Sequence, residues 1–245
     1  MSAMELRALI WDVDGTLAET EDQGHRVAFN LAFEEAGLTW RWDSETYGEL
    51  LAVTGGKERL LHWWRRIDPA GASAPEASAK VARLHERKTA HYLALLGRGA
   101  LRLRPGVERL LLEAGDRGLK QAIATTTTLA NVQHLLELTL GRGAATLFDV
   151  IGAGDVVAAK KPAPDIYRWV LERLALPARS CLAIEDSFPG VAAAQGAGVP
   201  VLLVRSRFTR PLPAQGCVDD LDSLRGVSLD GLRQRFGHAF AGQQR

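Results

Sequence analysis

Short hydrophobic runs alternate with helix-like patterns over most of the chain. The runs have strand length, are rich in Val, Ile, Leu and Ala, and several end in acidic or small residues. Such runs are typical of strands that are covered on both faces. The predicted strands are 6–11, 121–124, 150–151, 181–184 and 201–204, and the predicted helices are one after Pro105 and 130–138, 165–174 and 189–197. This alternation predicts an α/β fold with a mostly parallel sheet.

The stretch between the first two predicted strands departs from that pattern. It shows apolar residues at helical spacing around Phe29, Leu60 and Leu84, and no convincing strand. Residues 67–78 are rich in Pro, Ala, Gly and Ser, which predicts a loop between helices. An all-helical block after the first strand of an α/β domain indicates a second, inserted domain.

Composition and charge narrow the class of protein. Hydrophobic residues make up 47% of the 245 residues and charged residues 24%, which predicts a packed fold. The formal net charge is +1, which argues against a protein built mainly to bind nucleic acid. No apolar run approaches the length of a membrane span, and residues 1–7 lack a hydrophobic signal core. We expect a cytoplasmic monomer without a nucleic-acid or membrane partner.

Asp12 and Asp14 follow the first predicted strand directly. Ligands of open α/β sheets bind beyond the carboxyl ends of the strands. Two carboxylates so close together would repel each other without a cation, and Mg²⁺ suits a hard oxygen site that also receives phosphate. Asp12 can attack phosphorus to form an aspartyl phosphate, and Asp14 can protonate the leaving oxygen. Taken alone, the motif could also be an ordinary acidic turn.

Three later strand ends carry further polar side chains. Thr125 begins a run of four threonines whose hydroxyl and amide groups can bind phosphate oxygens, with a helix N-cap as the alternative. Lys161, after Lys160, can neutralise the charge of phosphate and nucleophile, although Lys-Lys pairs are usually exposed on the surface. Glu185 and Asp186 offer metal ligands at the end of another strand.

In this order, the four segments resemble the haloacid dehalogenase superfamily. The pattern reads Asp12-Val13-Asp14-Gly15-Thr16, then Thr125, Lys161 and Glu185-Asp186, and the resemblance covers nearly the whole chain. It implies a Rossmann-like catalytic core, residues 1–18 and 102–245, with an inserted α-helical cap domain, residues 19–101. It also implies a phosphoric monoester hydrolase that uses Mg²⁺, because the dehalogenases generally lack an acid/base at the position of Asp14.

The resemblance assigns roles to the motif residues. It implies that Asp12 is the nucleophile and a metal ligand. Asp14 would be the acid/base and would bind the metal through its backbone carbonyl. Thr125 and Lys161 would hold the transferring phosphate as catalytic residues. Asp186 would ligate Mg²⁺, with Glu185 as a helper or a ligand.

The helical block resembles the CbbY proteins, a branch that is related to β-phosphoglucomutase. Gly55-Gly56 lets backbone amides approach an anion at a helix start, beside Lys57. The segment Asp22-Gln23-Gly24 makes the spacing from Glu21 to His25 one residue longer than the branch leads us to expect. The matching stretches are Ala18-Glu19-Thr20-Glu21, Trp40-Arg41-Trp42-Asp43, Thr54-Gly55-Gly56-Lys57-Glu58, and the threonine run with Asn131.

This branch implies dephosphorylation of the sugar bisphosphate xylulose 1,5-bisphosphate. The residues expected to bind the substrate are Glu21, His25, Arg26, Tyr47, Thr54, Gly55, Gly56, Lys57, His85, Arg87, Lys88, Thr126, Thr127 and Asn131. Arg87 and Lys88 could instead belong to a solvated helix face. The alternative functions are a β-phosphoglucomutase-like phosphosugar mutase and a phosphatase of another small ester such as phosphoglycolate. A non-catalytic binding protein would be expected to have lost Asp12, Asp14 or the metal-binding acid, and none of these is lost.

Overall fold

A computed structural model of the chain describes residues 5–97, 101–209 and 216–241. Contacts divide the chain into two compact units. The first, here called the sheet unit, comprises Met1–Glu19 and Leu103–Arg245, and the second, the helical unit, comprises Thr20–Arg102. The roles predicted for these regions, a catalytic core and a cap, stay predictions.

The sheet unit contains a six-stranded sheet in which all paired strands are parallel. The strands are β1 (Ala8–Trp11), β2 (Lys120–Ala124), β3 (Val150–Gly152), β4 (Cys181–Glu185), β5 (Val201–Val204) and β6 (Asp219–Leu221). Their order is β3-β2-β1-β4-β5-β6. The predicted α/β fold with a Rossmann-like parallel sheet is confirmed.

The α-helices in the described part of the chain fall in both units. Those of the helical unit are α1 (Val27–Glu35), α2 (Ser44–Leu50), α3 (Gly56–Ile67), α4 (Pro69–Ala72) and α5 (Ala77–Leu96). Those of the sheet unit are α6 (Val107–Asp116), α7 (Leu129–Leu140), α8 (Asp165–Leu174), α9 (Phe188–Gly196) and α10 (Leu229–Ala241). Helices α6 to α9 lie where the alternating pattern predicted them.

Some elements differ from the sequence-based expectation. The short helix α4 lies inside the predicted loop 67–78, because Asp68 caps it by accepting from the Gly71 amide at 2.9 Å and Pro69 opens it. Strand β6 was not predicted, since its two aspartates and one leucine form no apolar run and it pairs on one side only. Helices α2 and α10 were also not predicted from the sequence.

The register of the central strands fixes which loops lie next to each other. Every residue of β1 and β4 is fully buried or nearly so, as the apolar runs predicted. Trp11 pairs with Ile184 on one side and with Ile123 on the other. The Asp12 amide then donates to the Ile184 carbonyl at 3.0 Å. The chain segments that follow β1, β2 and β4 therefore emerge side by side at the carboxyl edge of the sheet.

The helical unit is held by an aromatic cluster. Phe29 and Phe33 pack against the Trp42 ring with centroid distances of 4.7 Å and 4.9 Å. Such pairs contribute stability beyond the area that they bury.

Across residues 5–97, 101–209 and 216–241, none of the helices combines the length and apolar character needed to cross a membrane.

A π-helical turn, Glu21–Arg26, precedes α1. The His25 amide donates to the Thr20 carbonyl at 2.8 Å, which is the five-residue spacing of a π turn. A π turn encloses one more residue than an α turn. This turn accommodates the longer spacing from Glu21 to His25 that the sequence shows.

Candidate active site

Lys161 connects two carboxylates at the carboxyl edge of the sheet. Its Nζ lies 2.6 Å from Asp12 Oδ1 and 2.6 Å from Glu185 Oε1. Asp12 follows β1, Glu185 ends β4, and Lys161 lies in the segment before α8. All three side chains are buried, and Lys161 is only 4% exposed. Lys161 is therefore not a surface lysine, which was the alternative left open by the sequence.

Asp12, Glu185 and Asp186 form a buried carboxylate cluster. Each offers one oxygen within 4.8 Å of the others. With all three acids ionised, three negative charges and the one positive charge of Lys161 leave a net charge of −2 on these four groups. Glu185 Oε2 is buried and, within the described ranges, has no hydrogen-bond partner. Hard oxygen donors and this excess of negative charge fit a divalent cation such as Mg²⁺.

The ionisation of the cluster follows from burial and from its neighbours. Burial raises the pKa of Asp12 well above its usual range; the Lys161 ammonium acts against this rise, and the Glu185 and Asp186 carboxylates add to it. Burial works to lower the pKa of Lys161, but the charges of Asp12 and Glu185 raise it above its usual value. The two carboxylates therefore favour the charged form of Lys161.

The turn that carries Asp14 is shaped by Gly15. Gly15 has a φ of +83°, which side-chain-bearing residues rarely adopt. A Cβ on Gly15 would overlap the Asp186 carboxylate, so glycine allows the turn to approach that acid. Asp14 itself is half-buried and forms a β-bridge with Ala18.

The threonine run forms the helix N-cap that was one of its two interpretations, and its binding of phosphate stays a prediction. Thr128 is the N-cap of α7, and its Oγ1 accepts from the Asn131 amide at 3.4 Å. Thr125 is buried at the end of β2, and its Oγ1 accepts from the Thr127 amide at 3.2 Å. Asn131 donates through Nδ2 to Thr127 Oγ1 at 3.0 Å, while Thr126 is half-buried. The run is therefore both a helix cap and a set of polar groups at the sheet edge.

Tyr167 is a residue of the cluster that the sequence reasoning missed. Its hydroxyl donates to Glu185 Oε1 at 2.5 Å, and its ring lies 5.5 Å from Lys161 Nζ. Burial, followed by the charge of Glu185, raises the pKa of the Tyr167 phenol well above its usual value. The one available signal was a hydroxyl-bearing residue on the apolar face of α8, three positions after Pro164.

In the helical unit, His25 and Lys88 form a buried pair. The Lys88 Nζ lies 2.7 Å from His25 Nδ1, and the His25 ring stacks on Tyr92 with a centroid distance of 4.0 Å. The donor in this contact depends on the tautomer of His25; an ionised Lys88 would donate to Nδ1. Lys88 is thus buried, not part of a solvated helix face.

Tyr47 and Glu21 form a second polar group of the helical unit. The Tyr47 hydroxyl donates to Glu21 Oε2 at 2.5 Å and accepts from Arg59 Nη1 at 2.9 Å. Arg26 pairs with Asp22, with Nε and Oδ1 2.7 Å apart. These contacts fix the side chains of Glu21, Arg26 and Tyr47 within the unit.

At the start of α3, side chains pack against both glycines: the Glu58 carboxylate lies where a Cβ on Gly55 would be, and the His85 ring lies against Gly56. The predicted approach of an anion to this backbone stays a prediction. Gly55 is the N-cap with a φ of +88°, and a Cβ on Gly56 would overlap the His85 ring. Lys57 is exposed and Thr54 is half-buried. Arg87 lies apart from this group of contacts, since its Nε pairs with Glu35 Oε1 at 2.8 Å on an exposed face.

Not all predicted site residues are brought together. In the sheet unit, Asp12, Lys161, Glu185 and Asp186 form one cluster, with Gly15 against Asp186. The predicted substrate residues from Glu21 to Lys88 belong to the helical unit, where they form the separate groups of contacts described above. Their roles toward a substrate stay predictions.

The chain is similar in sequence to one enzyme family and to proteins of one branch of it. The profile of the haloacid dehalogenase-like hydrolase family matches residues 6–198. The plasmid-encoded protein CbbY of Cupriavidus necator is 50% identical over 204 residues, which are 83% of this chain and 80% of that protein. These matches confirm the resemblance to the superfamily and to its CbbY branch.

Solved structures agree with the sequence comparison. A structure of a variant of CbbY from Rhodobacter sphaeroides in complex with xylulose 1,5-bisphosphate is 44% identical, with a TM-score of 0.85 over 93% of this chain and 99% of that one. A β-phosphoglucomutase from Clostridium difficile has a TM-score of 0.78 at 18% identity, over 96% of this chain and 99% of that one. The second likeness shows the fold alone.

Proposed function

Since the chain belongs to the haloacid dehalogenase-like hydrolase family and is a phosphoric monoester hydrolase of that family, we propose that it removes one phosphate from a sugar bisphosphate, namely xylulose 1,5-bisphosphate. The observation that supports phosphoryl transfer is the buried cluster of Asp12, Lys161, Glu185 and Asp186. The choice of substrate is supported by the 44% identical CbbY structure in complex with that sugar.

The first step forms an aspartyl phosphate on Asp12. A carboxylate oxygen of Asp12 attacks phosphorus, and the bond between phosphorus and the sugar oxygen breaks. Asp14, two residues along the same turn, gives its proton to the departing sugar oxygen. Lys161, hydrogen-bonded to Asp12, offsets the repulsion between that carboxylate and the incoming phosphate dianion.

The second step regenerates Asp12. A water molecule attacks the phosphorus of the aspartyl phosphate while Asp14, now ionised, takes its proton. The bond from phosphorus to the Asp12 oxygen breaks, and inorganic phosphate leaves. Thr125 and the amides of the run that it begins are proposed to hydrogen-bond the phosphate oxygens in both steps.

A Mg²⁺ ion fits the acidic end of the sheet. We propose that Asp12, Asp186 and the Asp14 backbone carbonyl hold it, with Glu185 beside them. When bound, the ion would neutralise the carboxylates and draw a phosphate oxygen toward the cluster. Glu185 also holds Lys161 in place, because the two side chains contact each other at 2.6 Å.

The helical unit is proposed to recognise the second phosphate of the substrate. Backbone amides at a helix start attract anions, and a phosphate could approach Gly55-Gly56 at the start of α3 once the Glu58 carboxylate, which lies against Gly55, moves aside. Lys57 adds a positive charge in the first turn and is exposed. A sugar with two phosphates would gain affinity from this feature, whereas a monophosphate would not.

Phosphate release with Mg²⁺ from xylulose 1,5-bisphosphate, β-glucose 1-phosphate with a bisphosphate primer, and phosphoglycolate tests the proposal. We expect the highest kcat/KM for xylulose 1,5-bisphosphate, and loss of turnover in a folded Asp12→Asn variant. Conversion of β-glucose 1-phosphate to glucose 6-phosphate would assign the chain to the mutases. Appreciable turnover by Asp12→Asn would rule out the aspartyl phosphate.

A further inference from the structure

Arg104 is a buried arginine that none of the assigned roles explains. It follows Leu103, which forms a β-bridge with Ala18, and precedes the turn before α6. Arg104 is only 8% exposed. Its backbone amide donates to the Leu17 carbonyl at 2.8 Å. The main chain of Arg104 is therefore hydrogen-bonded to the segment that follows β1.

The Arg104 guanidinium has an acceptor for each of its five N–H groups. Nε faces Glu19 Oε1 at 3.1 Å. Nη1 donates to the Gly15 carbonyl and to the Val204 carbonyl, the latter at 3.2 Å. Nη2 donates to the Arg205 carbonyl and to the Asp222 carbonyl, the latter at 3.3 Å. A planar fork with five donors is needed for this set, and lysine, with three donors on one nitrogen, cannot reproduce it.

The order of the strands shows which segments Arg104 connects. Gly15 follows β1, Val204 ends β5 and Arg205 follows it, and β4 lies between those two strands in the sheet. Arg104 thus cross-links the segments on either side of the end of β4. The residues at that end are Glu185 and Asp186, two of the three acids of the cluster.

Gly15 lies between Arg104 and the cluster. Its carbonyl accepts from Arg104, and its Cα lies so close to the Asp186 carboxylate that a Cβ would overlap it. The orientation of the Gly15 peptide therefore sets how near the turn of Asp12 and Asp14 comes to Asp186.

We propose that Arg104 is a positioning residue, which fixes the turn of Asp12 and Asp14 against the acidic end of β4. This inference rests on the proposed function, because that turn is the one assigned to the chemistry. The competing explanation is that Arg104 contributes stability alone, as buried arginines often do. The two explanations differ in what they expect for kcat once folding is accounted for.

The test compares Arg104→Lys and Arg104→Gln with Arg109→Lys and Arg109→Gln as matched controls. Arg109 also donates to a backbone carbonyl, that of Val227, and pairs with Glu113 at 3.0 Å, but it contacts neither the turn nor the cluster acids. We expect Arg104→Lys to fold and to lose about tenfold to a hundredfold in kcat, with a much smaller change in KM. Both Arg109 variants should keep the wild-type kcat.

A second readout needs no substrate. The shift of the melting temperature by Mg²⁺ alone is measured for each variant, and the Arg104 variants should need more Mg²⁺ for the same shift than the Arg109 variants. If wild-type protein hydrolyses none of the phosphate esters, the proposed function fails, and this shift still tests Arg104. If wild-type protein shows neither hydrolysis nor a Mg²⁺ shift, both are overturned.

Results for the two Arg104 variants decide between a positioning role and a purely stabilising one. A wild-type kcat and Mg²⁺ shift in Arg104→Lys would overturn the positioning role. If Arg104→Gln does not fold, Arg104→Lys alone decides. Failure of both Arg104 variants to fold would assign Arg104 to stability alone and overturn the proposal as well.

Discussion

Tyr167 donates its hydroxyl to Glu185 Oε1 at 2.5 Å, the same oxygen that lies 2.6 Å from Lys161 Nζ. Glu185 is fully buried. Its carboxylate lies against the Cα of Gly190, where a Cβ would overlap it. Two donors and one glycine therefore hold Glu185, and Glu185 in turn holds the lysine that contacts Asp12.

The Tyr167→Phe variant should weaken the cluster. It removes one of two donors to a buried carboxylate oxygen while preserving the ring, so the free energy of unfolding should fall by about 1–3 kcal/mol. The kcat should also fall, because Lys161 loses part of its fixed partner. Urea unfolding and phosphate release measure the two effects. Unchanged stability and kcat would show that the hydroxyl contact is unimportant.

Gly190→Ala and Gly237→Ala should have opposite effects on stability. Both glycines lie in helices, where alanine is favoured by about 0.5–1 kcal/mol. A Cβ on Gly237 meets nothing within 4 Å, so Gly237→Ala should raise the melting temperature. A Cβ on Gly190 would overlap the Glu185 carboxylate, so Gly190→Ala should lower both the melting temperature and kcat. Equal stabilisation in both variants would contradict this packing.

Lys161→Met should be far more harmful than Lys160→Met. Removing Lys161 leaves Asp12 and Glu185 buried without their shared cation, which should cost about 3–5 kcal/mol of unfolding free energy and abolish turnover. Lys160 pairs at 2.7 Å with the exposed Asp155 and also donates to the Gly154 carbonyl, so Lys160→Met should cost about 1–3 kcal/mol and leave turnover intact. Thermal unfolding and phosphate release of both variants provide the comparison, and similar losses in the two would refute it.

Chelation of divalent cations should abolish activity reversibly. The four buried groups of the cluster carry a net charge of −2 when its acids are ionised, and a divalent cation offsets it. Activity is measured after dialysis against EDTA and again after Mg²⁺ is added back. The melting temperature should rise with Mg²⁺ in the same experiment. Full turnover in excess EDTA would exclude a catalytic metal.

Lys57→Ala should raise KM for a sugar bisphosphate more than for a sugar monophosphate. Lys57 is proposed to contact the phosphate that is not cleaved, and loss of one charge-assisted hydrogen bond corresponds to about tenfold in affinity. The matched control is Lys80→Ala, which removes an exposed lysine of α5 that pairs with Glu76, the residue before that helix. Equal changes in KM for both substrates would remove Lys57 from that role.

Much of the sheet unit could be read from the sequence. The runs at residues 181–184 and 201–204 became β4 and β5, because a strand covered on both faces must be apolar along its length. The same reasoning missed β6, an edge strand whose residues Asp219, Asp220 and Leu221 are half-buried. An edge strand needs no apolar run, so the local sequence carried no signal for it.

The sequence by itself determined which acids could meet. Asp12 and Glu185-Asp186 follow strand-like runs, and the carboxyl ends of parallel strands lie at one edge of a sheet. Only the tertiary structure decided how they are held: Lys161, which the sequence allowed as a site lysine or as a surface lysine, contacts Asp12 across 149 residues, and Arg104, which the sequence did not single out, reaches Gly15 across 89. Strand formation depends on neighbouring residues and their periodicity, whereas these contacts depend on where side chains far apart in the chain come to rest. A sequence motif can therefore identify Asp12 as the candidate nucleophile. The Tyr167 hydroxyl, the Arg104 guanidinium and the glycines that position the groups around Asp12 are brought there by tertiary packing.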